Sequence, residues 1–465
     1  MIFNSLHYIV FLFLIILAYW NIPHKYRWIL LLIGSYYFYM CWRVEYIVLI
    51  ILSTGVDYYC GRKMGQISIK KKRKPYLYIS LLSNLSILFF FKYANFFTTN
   101  LNEVTGTSIP ILKVLLPMGI SFYTFQTMSY SIDIYNGKLK PEQNMGIFAL
   151  FVTFFPQLVA GPIERAGNLL DQFKIKKEWS WVLFRSGLRL VLWGFFKKVV
   201  IADRLAIIVD EIYNHPDEYK GFALVVGTVF FAFQIYCDFS AYSDIARGSA
   251  RMMGFHLMKN FDTPYFSKSL GEFWRRWHIS LSTWFRDYIY IPLGGNRVVK
   301  WRWYYNLIIT FVISGIWHGA NWTFLIWGFL HGLYLIIETF FTIKSKNKFM
   351  SVLKILTVFT VVCVGWIFFR ANSVHDAFYI VTHLTSGLDL SFVKSDIDSL
   401  YNYLIIGSTL PMLLIIEYLS KKKNILEILN SQPAMIRWSG YWAFILIILF
   451  GGMFVNPSTF IYFQF

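Results

Sequence analysis

Long apolar runs recur along the whole of this chain and are separated by short polar loops. Hydrophobic residues make up 57% of the 465 residues and charged residues only 15%, whereas an average soluble domain has about 25% charged residues. A helix that crosses a bilayer needs roughly 20 apolar residues. The pattern therefore predicts a helical membrane protein. The apolar runs are 5–20, 28–42, 46–60, 76–97, 115–135, 145–163, 179–209, 222–237, 304–317, 322–341, 352–369, 404–419 and 438–454.

Interruptions in these runs decide how many of them cross the membrane. Several runs are short or contain proline and glycine, which indicates re-entrant helices. We therefore expect an all-α polytopic membrane protein with about 11 transmembrane helices plus re-entrant and amphipathic helices. No polar stretch is long enough for a soluble domain, so we expect a single membrane domain over residues 1–465. The four cysteines are widely spaced, which indicates packing roles and no disulfide framework.

The net charge of +19 comes largely from short basic loops. Clusters of lysine and arginine at 70–74, 344–348 and 421–423 follow the positive-inside pattern of cytoplasmic loops. The same alternation puts the aspartate-rich segment 371–401 and the C-terminus outside. Because membrane topology explains the charge, we exclude nucleic acid as a partner.

His318 is the residue that most clearly suggests chemistry. It lies between two apolar runs, 306–316 and 322–337. An ionisable group at membrane depth costs at least a few kcal/mol, so its presence there points to function. Histidine is also the side chain best suited to move protons near neutral pH. The alternative is a packed histidine in a close helix contact, which the flanking Gly315 and Gly319 would permit. His331 is a second candidate of lower rank.

The segment 272–297 has the pattern of an amphipathic helix. At about 100° per residue, Arg275, Ser282 and Arg286 share one face, and His278 lies at the edge of the other. That other face is apolar and consists of Phe273, Trp277, Leu281, Trp284 and Tyr288. Either the helix lies at the membrane interface with its aromatic side in lipid, or it forms a basic wall of a cavity that admits an anionic substrate.

A third polar group follows the apolar run that ends at residue 237. Asp244 and Arg247 have the i,i+3 spacing of a helical ion pair. Asp238 has no local partner and would pair with a basic residue of the cavity. We expect this group to serve as framework and to take no part in catalysis.

Several enzyme classes lack their signatures in this chain. There is no GxSxG elbow, no HExxH motif and no P-loop. His278 and His318 have no third ligand at a readable spacing, so we expect no metal. Intramembrane charges and broken helices would also suit a transporter or flippase without covalent chemistry, although no repeated half is visible.

Four motifs together resemble the membrane-bound O-acyltransferase (MBOAT) family. They are PQLVAGPIER at 156–165, DFSAYSD at 238–244, NFDTPYFSKSLGEFWRRWHISLSTWFRDYIYIPLGGNR at 260–297 and GIWHGANWTFLIWGFLHG at 315–332. The resemblance is strongest to the bacterial branch that O-acetylates extracellular polysaccharides, including alginate and peptidoglycan. It weakens after about residue 370, so the family-like core spans about 110–370. A D-alanyl transferase of teichoic acid synthesis, from the same family, is the alternative.

The resemblance implies a central funnel with a cytoplasmic acyl donor and an acceptor outside. His318 matches the main catalytic histidine of the family, and His278 matches its second polar position. We expect His318 to act as general base, which requires a ring that the donor can reach. His278 would orient the donor or help to stabilise the oxyanion. The residues that we assign to coenzyme A are Arg275, Arg276, Arg286 and Asn321.

The resemblance also implies the substrates, the partner and the location. The donor would be acetyl-CoA and the acceptor an extracytoplasmic polysaccharide. The branch commonly works with an exported SGNH-type acetyltransferase or esterase-like protein, to which this chain would pass the acetyl group. Direct transfer to the polymer is the alternative. The protein would then lie in the bacterial cytoplasmic (inner) membrane as a multi-pass protein.

Overall fold

A computed structural model describes residues 1–159, 161–341, 347–422, 431–455 and 458–463 of the chain. Every regular element in these ranges is helical, as predicted. The α-helices are α1 (Leu6–Asn21), α2 (His24–Met40), α3 (Ile47–Gln66), α4 (Lys74–Leu88), α5 (Ala94–Thr105), α6 (Ile120–Tyr135), α7 (Met145–Thr153), α8 (Phe155–Leu158), α9 (Ala166–Lys174), α10 (Trp181–Phe195), α11 (Asp203–Asn214), α12 (Phe222–Met252), α13 (Leu270–Arg276), α14 (Ile279–Phe285), α15 (Lys300–His318), α16 (Trp322–Phe340), α17 (Lys348–Arg370), α18 (Val374–His383), α19 (Ile397–Lys422) and α20 (Ala434–Gly451).

Shorter helical turns interrupt or link these helices. Turns of π-helix lie at Phe89–Tyr93, Phe196–Ala202 and Arg286–Tyr290. Turns of 3-10 helix lie at Lys70–Arg73, Pro216–Glu218, Pro264–Phe266 and Ile461–Phe463. Turns of π-helix inside α-helices often mark functional positions, and two of these turns directly follow α10 and α14.

Six helical stretches within the described ranges are long and apolar enough to cross a bilayer. They are Lys70–Thr105, Phe222–Met252, Trp322–Phe340, Lys348–Arg370, Ile397–Lys421 and Ala434–Gly451. A further apolar helix, Leu6–Asn21, is shorter. The remaining apolar runs form helices that are shorter, less apolar or interrupted, such as the run 179–209, which a π-helical turn divides. The total of about eleven crossings counts these shorter helices as well and stays a prediction.

By compactness the chain divides into two units. The first comprises Met1–Val191 and Tyr242–Lys259, and the second comprises Leu192–Ala241 and Asn260–Phe465. The single membrane domain over 1–465 and the central funnel stay predictions.

A buried polar network joins three helices in the first unit. Asp57 on α3 accepts hydrogen bonds from the Ser80 hydroxyl and the Asn84 amide on α4, the latter at 2.8 and 2.9 Å. The Thr127 hydroxyl on α6 donates to the side-chain amide oxygen of Asn84 at 3.1 Å. Because buried polar groups need partners, this network fixes how α3, α4 and α6 pack. The predicted pair of Asp244 and Arg247 also forms in this unit, at 3.1 Å.

Glycines bring two helices of the second unit into backbone contact. A Cβ added at Gly315 of α15 would lie 2.1 Å from the Phe324 carbonyl oxygen of α16, and one at Gly328 would lie 2.3 Å from the Phe311 carbonyl oxygen. The close helix contact that was the alternative explanation for the glycines beside His318 is therefore present at Gly315. It places the C-terminal end of α15 directly against α16.

The continuous helix predicted over 272–297 is wrong. The chain forms α13 and α14 with a break at His278, whose φ is +43°. An extended loop captures the backbone groups that the break releases: Ile279 donates to the Asn260 carbonyl oxygen, and Asp262 donates to that of Arg276, both at 2.9 Å. Since each of these groups is paired, the left-handed conformation at His278 is tolerated.

Candidate active site

His318 is the last residue of α15 and lies inside a layer of aromatic rings. Its side chain is 4% exposed. Its ring centroid lies 4.9 Å from that of Trp317, 5.1 Å from Trp327 of α16, 5.2 Å from Phe369 of α17 and 5.6 Å from Tyr462. Helices α15, α16 and α17 thus fix three sides of the imidazole, and a residue of the short C-terminal turn covers a fourth.

His278 is held by a side chain of the extended loop. Its Nδ1 lies 3.2 Å from the Asn260 side-chain oxygen, which also accepts the Ser280 backbone N–H at 3.1 Å. A backbone N–H can only donate, so the Asn260 atom is the acceptor and Nδ1 of His278 carries the proton. The neutral ring therefore presents Nε2 as a proton acceptor. In this tautomer Nε2 has no proton to donate to an oxyanion, so that role would require the imidazolium.

Tyr462 contacts both histidines. Its ring centroid lies 5.6 Å from that of His318 and 6.2 Å from that of His278, and it packs on Phe239 at 4.5 Å. The structure thus brings the two predicted catalytic residues together around one phenol ring. Sequence reasoning missed Tyr462, because the resemblance to the family weakens after about residue 370 and the segment carries no signal beyond its aromatic residues.

A buried ion cluster lies beside this aromatic site. Lys198 Nζ lies 2.8 Å from a carboxylate oxygen of Asp203 and 2.8 Å from one of Asp238. The Lys198 and Asp203 side chains are fully buried, and that of Asp238 is 4% exposed. Asp238 does pair with a basic residue, but the expected partner from the cavity is wrong, because the partner is Lys198 on the π-helical turn after α10 and Lys198 does not line the cavity.

A cavity of about 450 Å³ lies in the second unit next to the aromatic layer. The predicted polar face of the segment, formed by Arg275, Ser282 and Arg286, contributes to its walls. Arg275 makes no ion pair or hydrogen bond with any residue that the structure describes, whereas Arg286 pairs with Asp287 at 2.8 Å. The other lining residues are Gly271, Trp274, Ile279, Leu281, Thr283, Phe285, Tyr290, Leu307, Thr310, Phe311, Ser314 and Leu335.

The burial of the opposite face decides between the two interpretations of this segment. Phe273 is 0% exposed, Trp277 2%, Leu281 3% and Trp284 3%. These side chains pack inside the protein, so an aromatic side in lipid is wrong. The opposite face does line a cavity, and the admission of an anionic substrate to it stays a prediction.

Two of the residues assigned to coenzyme A have other partners. Arg276 pairs with Glu272 at 2.9 Å and donates to the Asp262 carbonyl oxygen at 3.2 Å, outside the cavity lining. The Asn321 side chain caps α16 by accepting the Thr323 N–H at 3.1 Å. Arg275 and Arg286 are thus the two assigned residues that share a cavity.

The cavity and the histidine site are separated by one layer of indole rings. Neither His318 nor His278 lines the cavity. Trp274 lines it and contacts Trp327 at 5.7 Å, and Trp327 in turn packs on His318 at 5.1 Å. His318 is therefore walled off from the cavity in this structure, contrary to the expectation of a ring that the donor can reach, and a donor in the cavity would reach it if this aromatic layer moved. His331 also belongs to the layer, 4.9 Å from Trp274, with neither ring nitrogen bonded to a described residue.

Comparison with known proteins defines the class. Residues 147–381 match the family model described as MBOAT, the membrane-bound O-acyltransferase family. Together with the extended similarities below, this match shows that the chain belongs to the membrane-bound O-acyltransferase family, as the motifs indicated. It is therefore a multi-pass membrane enzyme that transfers acyl groups.

Three relatives from this family show which members the chain is similar to. The chain is 42% identical to a probable alginate O-acetylase of Azotobacter vinelandii over 80% of this chain and 76% of that protein. It is 34% identical to a peptidoglycan O-acetyltransferase of Helicobacter pylori over 80% of this chain and 76% of that protein. It is 29% identical to a teichoic acid D-alanyltransferase of Bacillus subtilis over 56% of this chain and 69% of that protein.

Proposed function

We propose that this enzyme takes an acetyl group from cytoplasmic acetyl-CoA and passes it across the bacterial cytoplasmic membrane for O-acetylation of an extracytoplasmic polysaccharide. The observation that carries the proposal is that His318 and His278 both contact Tyr462 at one aromatic site. One indole layer away lies a cavity lined by Arg275, whose guanidinium bonds to no residue that the structure describes. The two relatives that match 80% of this chain are named for O-acetylation of alginate or peptidoglycan, whereas the D-alanyltransferase matches 56%. This difference supports acetyl over D-alanyl transfer.

His318 acts as the general base in the proposed reaction. Its imidazole takes the proton of the acceptor hydroxyl while the oxygen forms a bond to the acetyl carbonyl carbon. The C–S bond of the thioester then breaks, and the imidazolium returns the proton to the leaving thiolate. The second histidine, held as the Nδ1–H tautomer by Asn260, accepts through Nε2 a hydrogen bond from another O–H or N–H group of the acceptor molecule and so orients its attacking hydroxyl.

The cavity holds part of the donor. Arg275 and Arg286 would bind the phosphates of coenzyme A, because a guanidinium presents paired donors to phosphate oxygens. A volume of about 450 Å³ is within the usual range for ligand pockets. The pantetheine arm would reach His318 by displacing the Trp274 side of the indole layer.

The acceptor side requires a second protein in this proposal. An exported SGNH-type acetyltransferase would receive the acetyl group and place it on the polymer. Direct transfer to the polymer is the second route. Co-expression with and without the exported protein distinguishes them, since the direct route needs this chain alone.

The test uses the purified full chain in lipid nanodiscs, acetyl-CoA, and a cell-envelope extract of the source organism as acceptor. Release of the coenzyme A thiol should fall at least about a hundredfold in His318→Gln. The matched control is His375→Gln, because His375 is 90% exposed and lies away from the site. Thiol release that is equal in His318→Gln and wild type would overturn the role of this histidine. Acetyl-CoA binding without any thiol release in the wild type would favour a transporter.

A further inference from the structure

The C-terminal segment 458–463 is held by hydrogen bonds to buried charges. The Ile461 N–H donates to an Asp238 carboxylate oxygen at 2.8 Å, and Lys198 Nζ donates to the Ser458 carbonyl oxygen at 3.0 Å. The Ser458 hydroxyl donates to Asp203. Each member of the buried ion cluster thus bonds to this segment, which by itself forms a single helical turn at Ile461–Phe463.

This segment also supplies one wall of the histidine site. Phe460 and Ile461 are 1% and 2% exposed, and Tyr462 packs on both imidazoles. The other walls around His318 come from α15, α16 and α17, which are long packed helices. An isolated helical turn is not stable in water, so the position of this wall depends on its anchors.

We propose that Lys198, Asp203 and Asp238 are positioning residues that clamp the segment 458–463 over the two histidines and keep water from the acyl donor. This role rests on the proposed acetyl transfer. A water molecule beside His318 would attack the acetyl carbonyl carbon in place of the acceptor, lose its proton to the imidazole, and release acetate and the coenzyme A thiol. Closing a site against such hydrolysis is a common requirement of group transfer.

The first measurement is the rate at which a cysteine on the segment 458–463 reacts with a maleimide, which reports how firmly the segment is held. Cys41 is the exposed cysteine among the four, which are all free. In a Cys41→Ser background, Ile461→Cys places a thiol on the clamped segment, and its reaction with a maleimide reports release. Lys198→Met should raise the labelling rate about tenfold, because it removes a charged hydrogen bond and unbalances the two carboxylates. Ser458→Ala, which buries no unpaired charge, should raise it a few-fold.

The second measurement is the rate of acetyl-CoA hydrolysis. Without any acceptor, wild-type protein should release acetate from acetyl-CoA slowly. Lys198→Met and Ser458→Ala should release it several-fold faster, with the KM for acetyl-CoA unchanged, because the cavity with Arg275 is separate. The gain should vanish when His318→Gln is added. General destabilisation would lower all rates, so a gain in hydrolysis has a specific cause.

The control is Lys394→Met, because Lys394 also forms an ion pair in the second unit, with Glu211 at 3.3 Å, but on the protein surface. It should leave labelling and hydrolysis unchanged. Labelling of Ile461→Cys that stays at the wild-type rate in both Lys198→Met and Ser458→Ala would overturn the clamp. Faster labelling without faster hydrolysis would overturn the exclusion of water. Failure of the proposed function is seen separately, as a wild type that releases no thiol with the envelope extract, while the labelling still tests the clamp.

Discussion

Gly315→Ala is the sharpest test of how helix packing positions the imidazole. The added Cβ would lie 2.1 Å from the Phe324 carbonyl oxygen, whereas real Cβ atoms essentially never come within 3.0 Å of such an atom. The ends of α15 and α16 must therefore separate by about 1 Å. Overpacking of this kind costs about 1–3 kcal/mol of stability. A misplacement of about 1 Å costs about a hundredfold in rate, and His318 is three residues further along the same helix.

The assay measures kcat for thiol release per folded protein, with folding judged by fluorescence-detected size exclusion and the midpoint of thermal unfolding. Gly407→Ala is the matched control, because Gly407 is a helical glycine of the same unit whose added Cβ meets nothing within 4 Å. We expect kcat to fall about a hundredfold in Gly315→Ala and to stay unchanged in Gly407→Ala. Wild-type kcat in folded Gly315→Ala would refute the reasoning that this helix contact sets the position of the base.

Two further predictions concern the groups around the site. Asn260→Leu removes the acceptor that fixes the tautomer of His278, so kcat should fall about tenfold or more while the KM for acetyl-CoA changes little. A changed KM with a normal kcat would instead indicate that Asn260 contacts the donor. Arg275→Gln and Arg286→Gln should each raise that KM about tenfold, and acetyl-pantetheine, which lacks the nucleotide phosphates, should show no such change. Arg276→Gln is the control, since it lies outside the cavity, and an equal rise in its KM would contradict the assignment.

The sequence was sufficient for the features that depend on local spacing. The helical periodicity of 272–297 predicted a polar face, and its three residues do line one cavity. Gly315 beside His318 permitted close helix packing, and its backbone contact with α16 shows that packing. Both features depend on neighbours within a few helical turns, which a sequence pattern displays directly.

Other features depended on partners far along the chain. The helix breaks at His278 because Asn260 captures the ring and the following backbone, and no periodicity reveals that. The C-terminal segment reaches the site through a hydrogen bond between residues 223 positions apart, Ile461 and Asp238. A pattern confined to one window of sequence cannot contain such a contact.

Two of the residues assigned to coenzyme A have local partners that the sequence pattern also indicates. Arg276 follows Glu272 at the i,i+4 spacing of a helical ion pair, and the pair forms. Asn321 precedes an apolar run in the position of a helix N-cap, and it caps that helix. Both local interactions satisfy the side chain, so neither residue needs a ligand to explain its presence.

The most direct test of the central claim measures O-acetyl groups on the surface polysaccharide of cells whose only copy of this enzyme is His318→Gln, present in the membrane at the wild-type level. If His318 is the general base for acyl transfer, the polymer should carry no detectable O-acetyl groups, while cells with His375→Gln should match the wild type. A normal O-acetyl content in the His318→Gln cells would contradict the account.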